Sequence, residues 1–221
     1  MAQIFDRRAN TIAKTLLLVG LPLLLALASG AWWFYTRSDW VRDVNIPVTQ
    51  PGGGYNHLLH VGGFKLDCRY CHNSVEISSS ANIPPTETCM GCHSQVLTNS
   101  PKLAFLRDSY ANDTPIQWNK VHNIPDFVYF NHSIHVNKGV GCATCHGRID
   151  QMTVVYKAQP MYMVWCLECH REPEKFIRPK DQVFNMAWTP PADQLSQGLR
   201  LKDEYRIRDA IALTKCSICH R

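Results

Sequence analysis

All the cysteines of this chain fall into five Cys-X-X-Cys pairs, and histidine follows every pair at once. The sites are Cys68/Cys71/His72, Cys89/Cys92/His93, Cys142/Cys145/His146, Cys166/Cys169/His170 and Cys216/Cys219/His220. No cysteine is left over for a disulfide. Paired Cys-X-X-Cys alone would suit a zinc ribbon or a redox-active dithiol. Neither requires histidine at the next position. Histidine is 10 of 221 residues, so five such coincidences have odds of about two in ten million under the motif rule. The pattern reads as five covalent haem c attachment sites. Two thioethers would fix each porphyrin, and the following histidine would be its proximal iron ligand.

The other five histidines are His57, His60, His122, His132 and His135. They match five irons one to one as distal ligands. Four of them lie in an internal repeat. Asn56 to His72 reads NHLLHVGGFKLDCRYCH and Asn131 to His146 reads NHSIHVNKGVGCATCH, with a shared N-H-X-X-H-V opening. The repeat assigns His57 to the His72 iron and His132 to the His146 iron. His60, His122 and His135 are left for the other three irons, in an order the spacing leaves open. Met163, in QPMYMVWCLECH, competes for one iron, with Met161, Met152 and Met186 behind it. Most methionines are packing filler. Two strong axial ligands give a low-spin iron with no open position. Paired imidazoles hold the potential low and methionine raises it.

The formal charge of +5 looks like a signal for nucleic acid or an anionic surface. Each ferric haem c with two ionised propionates adds about −1, because a bound ion's own charge enters the sum. The loaded protein is then near neutral, and its arginines and lysines read as propionate partners. Residues 55–221 hold too few apolar side chains for an ordinary core around five cofactors. The porphyrins themselves must supply the buried apolar mass. The fold expected is mainly α with much irregular loop around a core of five haems, plus one N-terminal transmembrane helix. Tyr70, Tyr162 and Trp165 would pack on porphyrin faces. Asp126 and Glu168 lie near haem sites, but nothing marks them as acid or base catalysts.

Leu16 to Tyr35 is an uncharged run of twenty residues, LLLVGLPLLLALASGAWWFY. At 1.5 Å per helical residue it spans roughly 30 Å, a bilayer's hydrocarbon thickness. Trp32 to Tyr35 form an interfacial aromatic belt. Arg7, Arg8 and Lys14 favour an inside N-terminus, while Arg37 and Arg42 weaken the bias. Arg7-Arg8 is only a loose match to a twin-arginine signal. Ala26-Leu27-Ala28 resembles a signal cleavage site, but the apolar run continues past it into the aromatic belt. The division expected is a cytoplasmic tail at 1–14, an anchor at 15–36, a linker at 37–54 and a haem domain at 55–221. That domain would carry repeat-like segments at 56–93 and 131–170 and a last haem segment at 199–221. Val121 to Phe130 should be extended, and Leu199 to Lys215 a helix delivering the last haem.

Taken with the anchor and the five sites, VHNIPDFVYFNHSIHV, GVGCATCHG and MVWCLECHR make the chain resemble the membrane-anchored pentahaem cytochrome c subunit of bacterial alternative complex III. The resemblance covers nearly the whole chain. It implies an electron-transfer subunit in the inner membrane, single-pass, with its N-terminus cytoplasmic and its haem domain periplasmic. It also implies the partners of that complex: an iron–sulfur protein, a monohaem cytochrome c and integral membrane subunits that handle quinol. Lipid would be met through one helix, and no nucleic acid is involved.

Two alternatives differ in class. A tetrahaem quinol dehydrogenase anchor has one helix too, but typically four haems and a methionine two residues after its first site. Here Asn73 and Ser74 follow His72. A multihaem reductase needs an iron with no distal ligand, and five spare histidines argue against one.

Overall fold

The computed structural model describes residue 6, residues 8–38, residue 41 and residues 43–220. Arg7 and Arg42, used above for membrane orientation, lie outside the described residues. The chain divides into two units, Met1–Val44 and Asn45–Arg221.

The first unit contains one long helix, α1 (Ala9–Arg37), of 29 residues with a mean hydropathy of 2.1 in its most apolar window. Its leucines, Trp32 and Trp33 are all exposed. A helix apolar on every face has no polar side to give to water, and its length suffices to cross a bilayer. Two of its hydroxyls are satisfied within the helix. Thr15 donates to the Thr11 carbonyl at 2.9 Å and Thr36 to the Trp32 carbonyl at 2.8 Å. A single π turn at Leu16–Gly20 adjoins Pro22, whose missing N–H interrupts the regular ladder there.

The second unit is built of short helices: α2 (Cys68–Cys71), α3 (Thr86–His93), α4 (Ala104–Ala111), α5 (His132–Asn137), α6 (Cys142–His146), α7 (Met163–Arg171), α8 (Gln194–Glu204) and α9 (Ala210–Leu213). Among the described residues there is no β-strand; isolated antiparallel bridges join Pro47 with Tyr156 and Val140 with Ile177. Several helices start at a side-chain cap, which supplies an acceptor to an otherwise orphaned N–H. The Asp67 carboxylate takes the Arg69 N–H before α2, and Asp209 takes the Ala212 N–H before α9. The stretch expected as linker up to residue 54 is partly tied into this unit. The Asn45 N–H donates to the Lys157 carbonyl at 2.7 Å, and the Gln50 amide exchanges bonds with the Asn119 backbone at 2.8 and 3.0 Å.

The helix expected over Leu199 to Lys215 is two helices, α8 and α9. Arg206 between them has φ 51, in the left-handed region that ends a helix, and Asp209 then caps a new start. Val121 to Phe130, expected as extended, contains neither helix nor strand but is not straight: it bends at Val121 and His122 and turns at Asp126 and Phe127, where the Val128 N–H donates to the Pro125 carbonyl at 2.9 Å.

The protein's own core is small. The described residues bury only Val75, Leu106, Val136, Met152, Ile177, Val183, Met186, Leu201 and Tyr205 among the hydrophobics. They form separate knots, one of Val75, Val136 and Val183 and another of Ile177, Leu201 and Tyr205. A 177-residue unit of this kind would ordinarily bury a contiguous core. Among the described residues the one buried charge is Arg178, 4% exposed. Its guanidinium donates to the Thr144 hydroxyl at 3.0 Å and lies 4.1 Å over the Trp188 ring. A methyl at position 141 would occupy the space this guanidinium fills, so Gly141 lets the 176–188 strap close on α6. Gly198 plays the same part in α8, where a methyl would strike the Glu174 carbonyl. Lys202 pairs with the Glu174 carboxylate across that contact at 2.7 Å.

Candidate haem sites

Four Cys-X-X-Cys-His motifs lie on helices and the fifth on a 3₁₀ turn, Cys216–Ile218. Three residues of helix bring both sulfurs of a pair to one face, with the histidine next in line. Burial pushes the thiols up: Cys142 to about 11, Cys145 to about 12 and Cys169 to about 11. Zinc ligation and dithiol chemistry both need the thiolate, which these surroundings disfavour. Among the described residues no three His, Cys, Asp or Glu side chains converge as a metal-ion site. An apolar thioether suits the same positions.

Shielding by the protein is not uniform across the ten sulfurs. Cys92 and Cys216 are exposed, while the other eight cysteines are partly buried. The reason for Cys92 is local. It lies in the last turn of α3, a helix that buries none of its residues, and Gly91, Ser94 and Gln95 beside it are exposed as well. Cys89, one turn earlier, is partly buried. A thioether needs reach to the porphyrin edge rather than enclosure. Its exposure is therefore compatible with Cys92 being one of the two tethers of its pair.

The histidines test the fit further. A metal–imidazole bond is about 2.0 Å and the nitrogen lies roughly 1.1 Å from its ring centre, so two imidazoles trans on one iron have ring centres about 6.2–6.3 Å apart. His60 and His93 are 6.2 Å apart, His135 and His170 6.2 Å, and His132 and His146 6.3 Å. Each spacing leaves room for one iron. His57 has His72 as its strongest charged neighbour after the effect of burial, which holds its pKa down at about 4. These residues therefore fit haem c. Cys68 and Cys71, Cys89 and Cys92, Cys142 and Cys145, Cys166 and Cys169, and Cys216 and Cys219 would tether it, and the histidines would take the iron.

Ring orientation is fixed from behind. The Nδ1 of His72, His93, His170 and His220 donates to the carbonyls of Asn82, Val96, Leu213 and Phe127 at 2.6 to 3.1 Å. On the distal side His60 uses the Asn56 carbonyl, His135 the Asn131 carbonyl and His132 the Ser79 carbonyl, at 2.7 to 2.8 Å. In all seven rings this frees Nε2, and such outer bonds are how metal-bound histidines are held.

The repeat is deeper than its histidines. Tyr55 precedes Asn56, and Phe130 precedes Asn131. Tyr55 stacks on His60 at 4.3 Å and meets His57 edge-on at 4.7 Å. Phe130 stacks on His135 at 4.5 Å and meets His132 edge-on at 4.8 Å. Sequence reasoning passed over both residues, although an aromatic stands before N-H-X-X-H in each copy.

The other expected ligands are placed as follows. His122 lies 4.2 Å from His146, edge to face at 79°, too close for both to sit trans on one iron. His220 is flanked by Phe127, 5.9 Å away and near parallel. Met163 opens α7 and is 62% exposed. Met152 and Met186 are buried as core filler, and Met161 has a left-handed backbone at φ 50.

Two comparisons bear on this arrangement. Residues 128–221 match the family described as "Cytochrome c7 and related cytochrome c", a stretch holding three of the five motifs. The chain is also 30% identical over 169 residues to the menaquinone reductase, multihaem cytochrome c subunit, of Nitratidesulfovibrio vulgaris (strain Hildenborough), across 67% of this chain and 77% of that protein. On these grounds the chain belongs to the multihaem cytochromes c.

Proposed function

We propose that the chain is a membrane-anchored pentahaem subunit that carries electrons within a quinol-oxidising complex of the alternative complex III type. The observation that carries the reading is the three histidine pairs at 6.2, 6.2 and 6.3 Å. Haem c supplies an iron that gains and loses one electron. His72, His93, His146, His170 and His220 would hold the five irons proximally. His57, His60, His132 and His135 would close the distal side of four of them and keep substrate away, and His122 is left as the candidate for the fifth. A chain of such sites moves electrons and does no bond chemistry of its own, so it is a subunit of an oxidoreductase rather than an enzyme by itself.

Helix α1 supplies the membrane tether, with the N-terminus cytoplasmic and the haem domain periplasmic. Quinol would be handled by integral membrane partners, since a lone helix offers no enclosed pocket for it. An iron–sulfur protein and a monohaem cytochrome c would lie along the electron path towards periplasmic acceptors.

The relative's name favours a second reading. That protein is a subunit of a menaquinone reductase, and the same set of sites would serve electrons running from the periplasm to the quinone pool. One experiment separates the two. Menaquinol is added anaerobically to membranes containing the complex, and the ferrous haem c band is followed. Quinol oxidation predicts rapid haem reduction by menaquinol alone. Haems that stay oxidised with menaquinol, but are reduced by a periplasmic donor and reoxidised by menaquinone, would establish the reverse direction. A tetrahaem anchor would show four haems per chain.

A further inference from the structure

Arg178 is the one buried charge among the described residues. A buried guanidinium is ordinarily paired with a carboxylate, because taking its charge out of water is costly. Among the described residues no carboxylate pairs with Arg178. Its neighbours are the Thr144 hydroxyl at 3.0 Å, the Asn185 carbonyl at a long 3.4 Å and the Trp188 ring at 4.1 Å, and its Nε has no partner. None of these carries a negative charge. A guanidinium does not shed its proton to escape such a place.

The charge is set against one pair of tethers. Gly141, whose missing side chain makes room for the guanidinium, directly precedes Cys142. Thr144, which accepts its hydrogen bond, directly precedes Cys145. Both sulfurs feel it: burial raises the two thiols, and Arg178 opposes that rise at each. A thioether cannot ionise, so a porphyrin tethered here meets the charge with no thiolate to offset it. Arg69 makes the contrast. It lies inside the first motif, but its side chain is 48% exposed and it holds the Asp67 carboxylate at 2.8 and 2.9 Å. Water and a carboxylate cancel its field.

We propose that Arg178 sets the potential of the haem held by Cys142 and Cys145. Its uncompensated positive charge beside the tethers favours ferrous iron, which carries one positive charge fewer than ferric. That raises the reduction potential of this haem above what two imidazole ligands alone would give. Charge near a cofactor tunes its potential alongside the choice of axial ligand. The inference rests on the proposed haem at this motif.

The test is Arg178→Met, which removes the charge, beside Arg178→Lys, which keeps it, both in the full chain. Haem content is counted, and potentials are read by titration followed through the ferric low-spin resonance signals. The near-parallel rings of His132 and His146, at 9°, give the signal by which this haem is recognised. Arg178→Met should lower its potential by about 59 mV or more, a tenfold change in the ferrous-to-ferric ratio for one electron, and leave the others in place. Arg178→Lys should keep most of the parent value. An unchanged or raised potential in Arg178→Met would overturn the proposal. So would an equal fall in both variants, which would mark lost packing rather than lost charge. A potential that becomes pH-dependent between about pH 5 and 8 in Arg178→Met alone would reveal a propionate paired with the guanidinium in the parent, and would also overturn it. If neither variant folds with its haems, Thr144→Asp decides. It sets a carboxylate against the guanidinium, at a motif position where the fourth site carries Glu168. A lowered potential for this haem supports the proposal, and an unchanged one refutes it. A parent chain without haem on Cys142 and Cys145 would refute the haem assignment at this motif instead.

Discussion

The two copies of the aromatic–Asn–His–X–X–His motif do the same work on different backbones. In the first, His60 sits in a π turn, Leu58–Gly63; in the second, His132 and His135 lie on α5. The first turn is braced from outside, with the Leu58 N–H on the Met152 carbonyl at 2.9 Å and Gly62 pressed against the Asp150 carbonyl. The second is braced from within. Val136 is buried with Val75 and Val183, and the His132 and Ser133 N–H groups donate to the Ser79 and Ser78 carbonyls. Yet both copies hold the second histidine on the asparagine carbonyl, stack it under an aromatic ring and set it 6.2 Å from the histidine of the second motif downstream. What is kept between them is the placement of imidazole nitrogens, while the helix type is free to vary. That is the behaviour expected where ligand geometry around an iron sets the fold.

The largest expected effect strikes the internally braced copy. Replacing Cys142 and Cys145 by alanine should remove one haem from the count and cost on the order of 5 kcal/mol or more, because a porphyrin-sized apolar surface is lost from a small core. Thermal unfolding followed by far-UV circular dichroism reads this. A variant that stays as stable as the parent would mean the haem is not part of the core.

Next come the second histidines. His60→Ala and His135→Ala should each turn one haem high-spin, seen by electron paramagnetic resonance, and leave the haem count unchanged because the thioethers remain. If only one of them did so, the equivalence of the two copies would fail. The same spectra sharpen the comparison. The imidazole planes of His60 and His93 cross at 71°, those of His132 and His146 at 9°. The first site should give a highly anisotropic low-spin signal and the second an ordinary rhombic one. Two identical signals would contradict these ring orientations.

The smallest effect belongs to the aromatic supports. Tyr55→Leu and Phe130→Leu each lose one stacked ring pair, a loss of about 1 kcal/mol. Denaturant unfolding should report it, with all haems still bound. A loss of haem from either variant would make the ring a requirement for ligation rather than a support.

Much of this was legible in the chain because haem attachment is local. A tethering motif spans five residues, so Cys142 to His146 announces its chemistry wherever it is placed. The repeat pairs the first histidine of each copy with the next motif, and in the second copy the structure sets His132 6.3 Å from His146. The partners of His60 and His135 were not legible. They lie on α3 and α7, more than thirty positions onward, and only the folded chain brings them opposite. The motif is equally silent on shielding: Cys92 and Cys145 hold the same place in it, yet one is exposed and the other is not, because cover comes from distant segments. Tyr55 and Phe130 were visible but had no function in view until their rings were seen against imidazoles. The break at Arg206 depended on one left-handed residue that propensity does not mark. His122 matched a count of five histidines for five irons, and a count carries no positions.

The most direct test of the account is the haem-to-polypeptide ratio of the purified full chain, measured by pyridine haemochrome absorbance against quantitative amino-acid analysis. Five haems c per chain is the result expected. Four or fewer, with the remaining Cys-X-X-Cys-His cysteines found as free thiols or holding zinc, would contradict it.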